Sequence, residues 1–374
     1  MNKIIFIIGI LLLLISCEKS SLDIHEVLKL SGDNREQLEK VLQHYSSPAD
    51  SLKLQAALFL IKNMPGHYTL RGDKIDQFRQ IIDLDSTCSY YYKKLYDITL
   101  EHFIIKDRNV HCEEDIEHIT AEFLIRHIDA TFELANRQKL LKIIPFDLFL
   151  EYVLPYRFEH ERLDLWRDSL QVSTTNTIWN TFPSTFSSIK TNSYLWDLRI
   201  HNPQLIYNLI KQDPFKDCYF ITYNELLFSR AIGIPRAIDC IPFYSNRNGY
   251  HYWSSDISLI SKELNITGAL DRRSAKVYRN TFSHNPTIKP CESEFIPELF
   301  LNPFKRDITD SYYYTTDIHI MNNTTSTPHH AYLCVFNDLQ WKPIAAGKVS
   351  HGEAEFKRLT KNIVYLPVYY DSSG

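Results

Sequence analysis

The chain has 374 residues, 44% of them apolar and 23% charged, with a net charge of -4. Those proportions exclude a wholly disordered polymer, because there is apolar surface enough for a core. The small net charge, with no long basic stripe, excludes the usual footprint of a nucleic-acid binder. The length suggests two or three domains, and aromatic residues are abundant (13%) beside only 10 glycines.

Asn2-Lys3 forms a short positive region, followed by the apolar run Ile4–Ile15, broken only by Gly9. That run suits a signal h-region and is short for a membrane span. It ends in Leu14-Ile15-Ser16-Cys17, a branched residue, a tolerant position, a small residue and a cysteine. This is the lipobox read by bacterial lipoprotein signal peptidase. Residues 1–16 are therefore expected to be removed as a signal peptide, leaving Cys17 to carry the lipid. Several acyl chains on one residue anchor stably where one chain is marginal. The expected location is the cell envelope, lipid-anchored at the outer membrane or cell surface, with membrane lipid as partner through Cys17. The alternative is an ordinary signal peptide with an incidental cysteine.

Residues 17–145 read as a helical N-terminal domain. Leu38, Val41 and Leu42 recur at helical spacing after Gly32-Asp33, and Ser47-Pro48 reads as an N-cap followed by proline at the first helical position. Leu52, Ala56, Phe59 and Leu60 make an apolar face that Pro65-Gly66 stops. Further apolar periodicity runs through 78–82, 91–103 and 116–134. Residues 146–290 mix helices and strands. Residues 291–374 alternate apolar and polar residues, as in Tyr332-Leu-Cys-Val-Phe336, with turns expected at Asn337-Asp338 and Ala346-Gly347. The fold class is thus α+β.

The six cysteines besides Cys17 are widely spaced, without a CxxC pair, and define no disulfide framework or metal site. His111-Cys112-Glu113-Glu114 and His329-His330 lack convincing ligand spacing and read as surface polar runs. No metal or cofactor is expected.

Chemistry concentrates between residues 217 and 253. Cys218 opens an amphipathic helix, Gly233 is a plausible C-terminal cap, and Pro235 prevents continuation. Residues 236–241 read as a strand, Asn248-Gly249 as a hairpin turn, and Tyr250-His251-Tyr252-Trp253 as the start of the next strand. A thiol at a helix N-terminus faces unpaired N–H groups and the positive dipole end, which stabilise a thiolate. A histidine on a neighbouring strand can take the thiol proton and return it to a leaving group. The plainer alternative makes Cys218 a small buried residue and His251 a satisfied core histidine. Asp217 is a helix cap or plain surface.

This segment resembles the transglutaminase-like superfamily, a branch of the papain-like cysteine enzymes. Cys218, Arg230, Gly233-Ile234-Pro235 and His251-Tyr252-Trp253 fill the family pattern in order. Asn63–Tyr68, Leu154-Pro155-Tyr156-Arg157 with Trp166-Arg167, Lys276–Arg279 and Arg306–Asp310 are similar to a lipoprotein subgroup that places a helical domain before such a core. The resemblance covers nearly the whole mature chain. It implies a transglutaminase-like core over 146–290 and a C-terminal β-sandwich-like domain that stops short. The expectation at the chain end is an open edge or a shortened product, against the plainer alternative of a small sheet fully packed on the core.

The resemblance further implies Cys218 as nucleophile and His251 as general base and acid, with Asp271 as the residue that orients the imidazole. Asp256 is too close in sequence and falls on the opposite strand face from His251; Asn265 is another candidate. Trp253 is expected to pack beside the site, and Arg157 and Trp166 to make structural contacts. The implied activity is an exported thiol enzyme cutting or transferring amide bonds through an acyl-enzyme, as peptidase, deamidase or transglutaminase, on a peptide, protein or glycan substrate. The competing reading is a catalytically inactive transglutaminase-like lipoprotein that binds peptide or glycan.

Overall fold

The computed structural model describes residues 22–99, 109–167, 204, 218–257, 274–321 and 328–373. Cys17, Asp217, Asn265 and Asp271 lie outside the described residues. The fold is α+β, with helices leading and antiparallel sheets following.

The chain opens with α1 (Ile24–Leu30), α2 (Arg35–His44) and α3 (Ser51–Lys62). Ser47 accepts a hydrogen bond from the Ala49 N–H, with Pro48 at the first position of the short 3-10 turn before α3, as its hydroxyl and fixed φ predict. The expected helical tract is then interrupted. Gly66 takes φ 82, and β1 (Tyr68–Arg71) follows, then α4 (Asp73–Leu84), α5 (Tyr90–Thr99) and β2 (His111–Glu114). β1 and β2 pair antiparallel, Tyr68 opposite Glu114 and Arg71 opposite His111. Helical periodicity on either side of these four-residue strands masked them. After α6 (Asp115–His118), α7 (Ala121–Gln138) and α8 (Phe146–Tyr152) complete the helices of this part. Val27, Leu38, Val41, Leu60, Leu124 and Phe149 fill one core, and Phe282, from far along the chain, joins them. A boundary at residue 145 therefore does not divide the packing.

Residues 153–158 are buried without interruption. This strap carries Arg157, which forks onto Asp115 at 2.5 and 2.6 Å. Trp166 donates its indole N–H to the Tyr156 carbonyl at 3.0 Å, and Arg167 donates to the Arg230 carbonyl at 2.8 Å. Arg157 and Trp166 thus make structural contacts.

Helix α9 (Cys218–Ala231) leads into β3 (Arg236–Ile241). Gly233 at φ 82 lets the Ile234 N–H return to the Ser229 carbonyl at 2.8 Å and close the helix. A Cβ on Gly233 would meet Leu140 Cδ1 at 2.6 Å. Then come β4 (His251–Asp256), β5 (Tyr278–Asn280), α10 (Glu298–Leu301) and β6 (Lys305–Asp307). The four strands form an antiparallel sheet ordered β4-β3-β5-β6.

The C-terminal part comprises β7 (Thr315–Met321), β8 (His330–Asn337), β9 (Gln340–Ser350), β10 (Glu353–Thr360) and β11 (Leu366–Val368), ordered β11-β8-β9-β10-β7. Asp338 and Leu339, at φ 48 and 62, make the first hairpin turn. The second turn falls at His351-Gly352, φ 53 and 78, and not at Ala346-Gly347, which lie inside β9. Gly347 is there for close approach: a Cβ would stand 2.5 Å from the Glu355 carbonyl oxygen. The expected sandwich-like domain is one five-stranded sheet. Its second layer comes from the preceding sheet, where Cys240, Ala275 and Tyr278 pack against Leu333, Val335, Ile344 and Phe356. β11 lies at the sheet edge, paired with β8. No helix of the described residues is long and apolar enough to cross a membrane.

Candidate functional site

Cys218 is the first residue of the fourteen-residue α9 and is half-buried. One turn on, Thr222 donates to the Cys218 carbonyl at 2.6 Å. The helix lies on one face of the sheet β4-β3-β5-β6. Tyr219 meets Tyr252 edge to face, ring centroids 5.3 Å apart, and Ser254 hydrogen-bonds Glu225. Tyr252 and Ser254 therefore point toward the helix. Burial raises the Tyr252 phenol well above its ordinary range, with Cys240, Glu159, Tyr250 and Cys218 adding to the effect.

Alternation along β4 then fixes the direction of its other side chains. His251, Trp253 and Ser255 take the far face. There His251 stacks on Trp253 at 5.5 Å and Tyr244 at 6.5 Å. Burial and the Arg247 charge hold the His251 imidazole below its ordinary pKa. Trp253 donates to the Tyr312 hydroxyl at 3.1 Å, and Tyr312 donates to Asp239 at 2.5 Å. Asp239, fully buried, lies on this face too, but Arg279 grips both its oxygens at 2.7 and 2.8 Å and Ser255 donates at 2.7 Å. Cys218 and His251 are the pair expected to meet; in this register the body of α9 covers the face of Tyr252 and Ser254, while the His251 imidazole takes the other face of β4, the edge strand of the sheet. Asp256 pairs with Arg236 and shares the helix-side parity of Tyr252, as alternation predicts.

A second group of polar side chains gathers on the helix side. Glu159 adopts φ 44, a left-handed conformation unusual for a residue with a Cβ. Its carboxylate accepts from the Tyr223 hydroxyl and from Asn280 Nδ2, the latter at 2.7 Å. Lys305 donates to Asn280 Oδ1, and its ammonium stands 6.0 Å from the Tyr252 ring centre. These residues border a partly open cavity of about 70 Å³, also lined by Arg157, His160 and Arg230. Burial pulls the His160 imidazole down to about 4. The sequence reading missed this group, because Glu159, Tyr223, Asn280 and Lys305 come from four separated segments. The visible signal was the ionisable run Arg157-Phe-Glu-His-Glu-Arg162 directly after an apolar stretch.

Compared with known proteins, the chain matches no family model, no curated protein and no solved structure.

Proposed function

We propose that this chain is a lipid-anchored envelope protein built on a transglutaminase-like core, and that it binds peptide or glycan without acyl-enzyme chemistry at Cys218. The observation that supports this reading is the β4 register, which puts Tyr252 and not His251 on the face covered by α9. A thiol nucleophile needs a base within hydrogen-bond reach, and His251 is stacked on the far side with Trp253. Alkylation with iodoacetamide at neutral pH, read site by site by mass spectrometry, tests it. Cys218 is expected to react no faster than a free cysteine peptide, with the same rate in His251→Ala. Fast, selective labelling of Cys218 that collapses in His251→Ala supports the thiol-enzyme reading instead. That second reading draws on one observation, the half-buried Cys218 at the head of a long helix, where the dipole favours a thiolate.

Export and anchoring rest on the Leu14-Ile15-Ser16-Cys17 lipobox. Cys17→Ser is expected to abolish incorporation of labelled fatty acid and to leave an uncleaved or soluble product. Unchanged membrane retention of that variant would remove the anchor from the proposal.

A further inference from the structure

The cavity beside α9 is lined by a guanidinium that no carboxylate grips. Arg230 is 7% exposed, and its Nε is buried without a hydrogen-bond partner. No side-chain nitrogen of Arg230 has a hydrogen bond or an ion pair with the described residues, and its nearest organised contact is the face of Phe158, 5.2 Å from the guanidinium carbon. The carboxylates in electrostatic reach, Glu151 and Glu161, act on it at a distance and direct their hydrogen bonds elsewhere. Glu151 accepts the backbone N–H of Phe282 at 2.5 Å. Glu161 accepts the Phe158 N–H at 2.8 Å and stands 3.3 Å from Lys94.

The other charges at the cavity wall are already matched. Arg157 is forked onto Asp115. Glu159 and Lys305 are joined through the two ends of the Asn280 amide. Burial keeps His160 and His67, both at the cavity wall, neutral at pH 7. What remains is one buried guanidinium, a planar fork of donors, at the cavity wall without a hydrogen-bonded anion. A buried cation is ordinarily paired, because leaving water without a counter-charge is costly. A carboxylate matches the guanidinium fork in geometry and charge. The cavity, about 70 Å³, exceeds the roughly 10–15 Å³ needed to hold one water. It has room for a carboxylate head group, with the remainder of the ligand outside.

We propose that this cavity is a ligand subsite in which Arg230 binds the carboxylate of the peptide or acidic glycan. The inference rests on the binding reading above and names the group recognised. A peptide's terminal carboxylate and a uronic acid present the same head group, so both are candidate sources.

The test uses the full mature chain and three probes: sodium acetate, acetyl-alanyl-alanine and glucuronate. Each is measured by calorimetry and by the shift in melting temperature against sodium chloride at equal ionic strength. A saturable shift with acetate is expected, and tighter binding by one of the larger probes identifies the source. Arg230→Met is expected to weaken binding at least about tenfold, the loss of a charge-assisted fork. Asn302→Trp, at an exposed position on the cavity wall, is expected to block entry without disturbing the core, and stands in if Arg230→Met does not fold. Binding by none of the three probes overturns the proposal. So does equal affinity in Arg230→Met, or in Asn302→Trp, or a crystal structure in which an ordered water bridges Arg230 Nε to Glu161 and excludes acetate. Cys218 alkylation rates taken on the same samples report separately on the binding reading, so the two ideas fail independently.

Discussion

Replacement of Arg157 by Met is expected to lower folding stability by about 3–5 kcal/mol, the usual consequence of removing one partner from a buried ion pair. Both side chains of the pair are 1% exposed. Asp115 would keep only the Tyr156 hydroxyl, at 2.9 Å. The Tyr68, Glu159 and Glu161 carbonyls would each lose the Arg157 donor that serves them at 2.6, 3.1 and 3.0 Å. Most of the loss comes from stranding a carboxylate in the interior, so removing both charges should hurt less than the sum of the single losses. Urea denaturation of Arg157→Met, Asp115→Asn and the double variant checks this through a coupling energy. Additive losses in the double variant would show that the fork contributes little.

Acid is expected to destabilise the fold well above the range where ordinary carboxylates titrate. Burial holds three imidazoles neutral: His127 is pulled down to about 3, His160 to about 4, and His67 well below its ordinary value. Their rings are committed as well. His127 Nε2 lies 2.6 Å from the Leu154 carbonyl. His67 Nε2 lies 3.0 Å from the Phe282 carbonyl, with its ring between Phe282 and Phe304. A depressed folded pKa means that the stabilisation is complete above the unfolded value near 6.5 and is lost as pH falls toward the folded values. Glu161 works the other way. Burial raises it to about 7, so the folded chain holds a proton that the unfolded chain releases above about 4.5. Burial also lowers His251 and His284, so between pH 6.5 and 4.5 the unfolded chain binds more protons through its imidazoles and stability falls as the pH falls. Denaturation at pH 7.5, 6.0 and 5.0 measures the slope. His127→Gln, which keeps a donor for Leu154, should reduce it by about one proton. Stability that stays flat from pH 7 to 5 would contradict the assignment of neutral buried imidazoles.

What could be read from the sequence depended on the distance over which the deciding interaction acts. α9 and β3 appear where Gly233 and Pro235 put them, because a helix stop is a property of three or four adjacent residues. The turn expected at Asn337-Asp338 is similarly local and falls one residue on, at Asp338-Leu339. Gly347 was misread as a turn because the same residue serves tight turns and close strand contacts, and only the approach of Glu355 distinguishes them. The parity of His251 against Tyr252 was legible. Which parity faces the helix was not, since that depends on where Tyr219 and Glu225 meet the sheet. The Arg230 cavity was illegible for the same reason: the strap, α9, β5 and β6 each contribute one wall.

The position of Phe282 in the first core has a consequence for the order in which the molecule can assemble. His67 is sandwiched by Phe282 and Phe304, and Asn63 receives the His284 N–H at 3.1 Å, 221 residues further along the chain. A chain emerging from its N-terminus presents His67 and Tyr156 long before the aromatic rings that pack on them exist. The helical part cannot finish packing on its own. It must hold an unsealed apolar face until the strands beyond residue 278 arrive, and closing loops that long is among the slower steps of folding. Completion of the helical part is therefore late, coupled to formation of the sheet that carries β5 and β6.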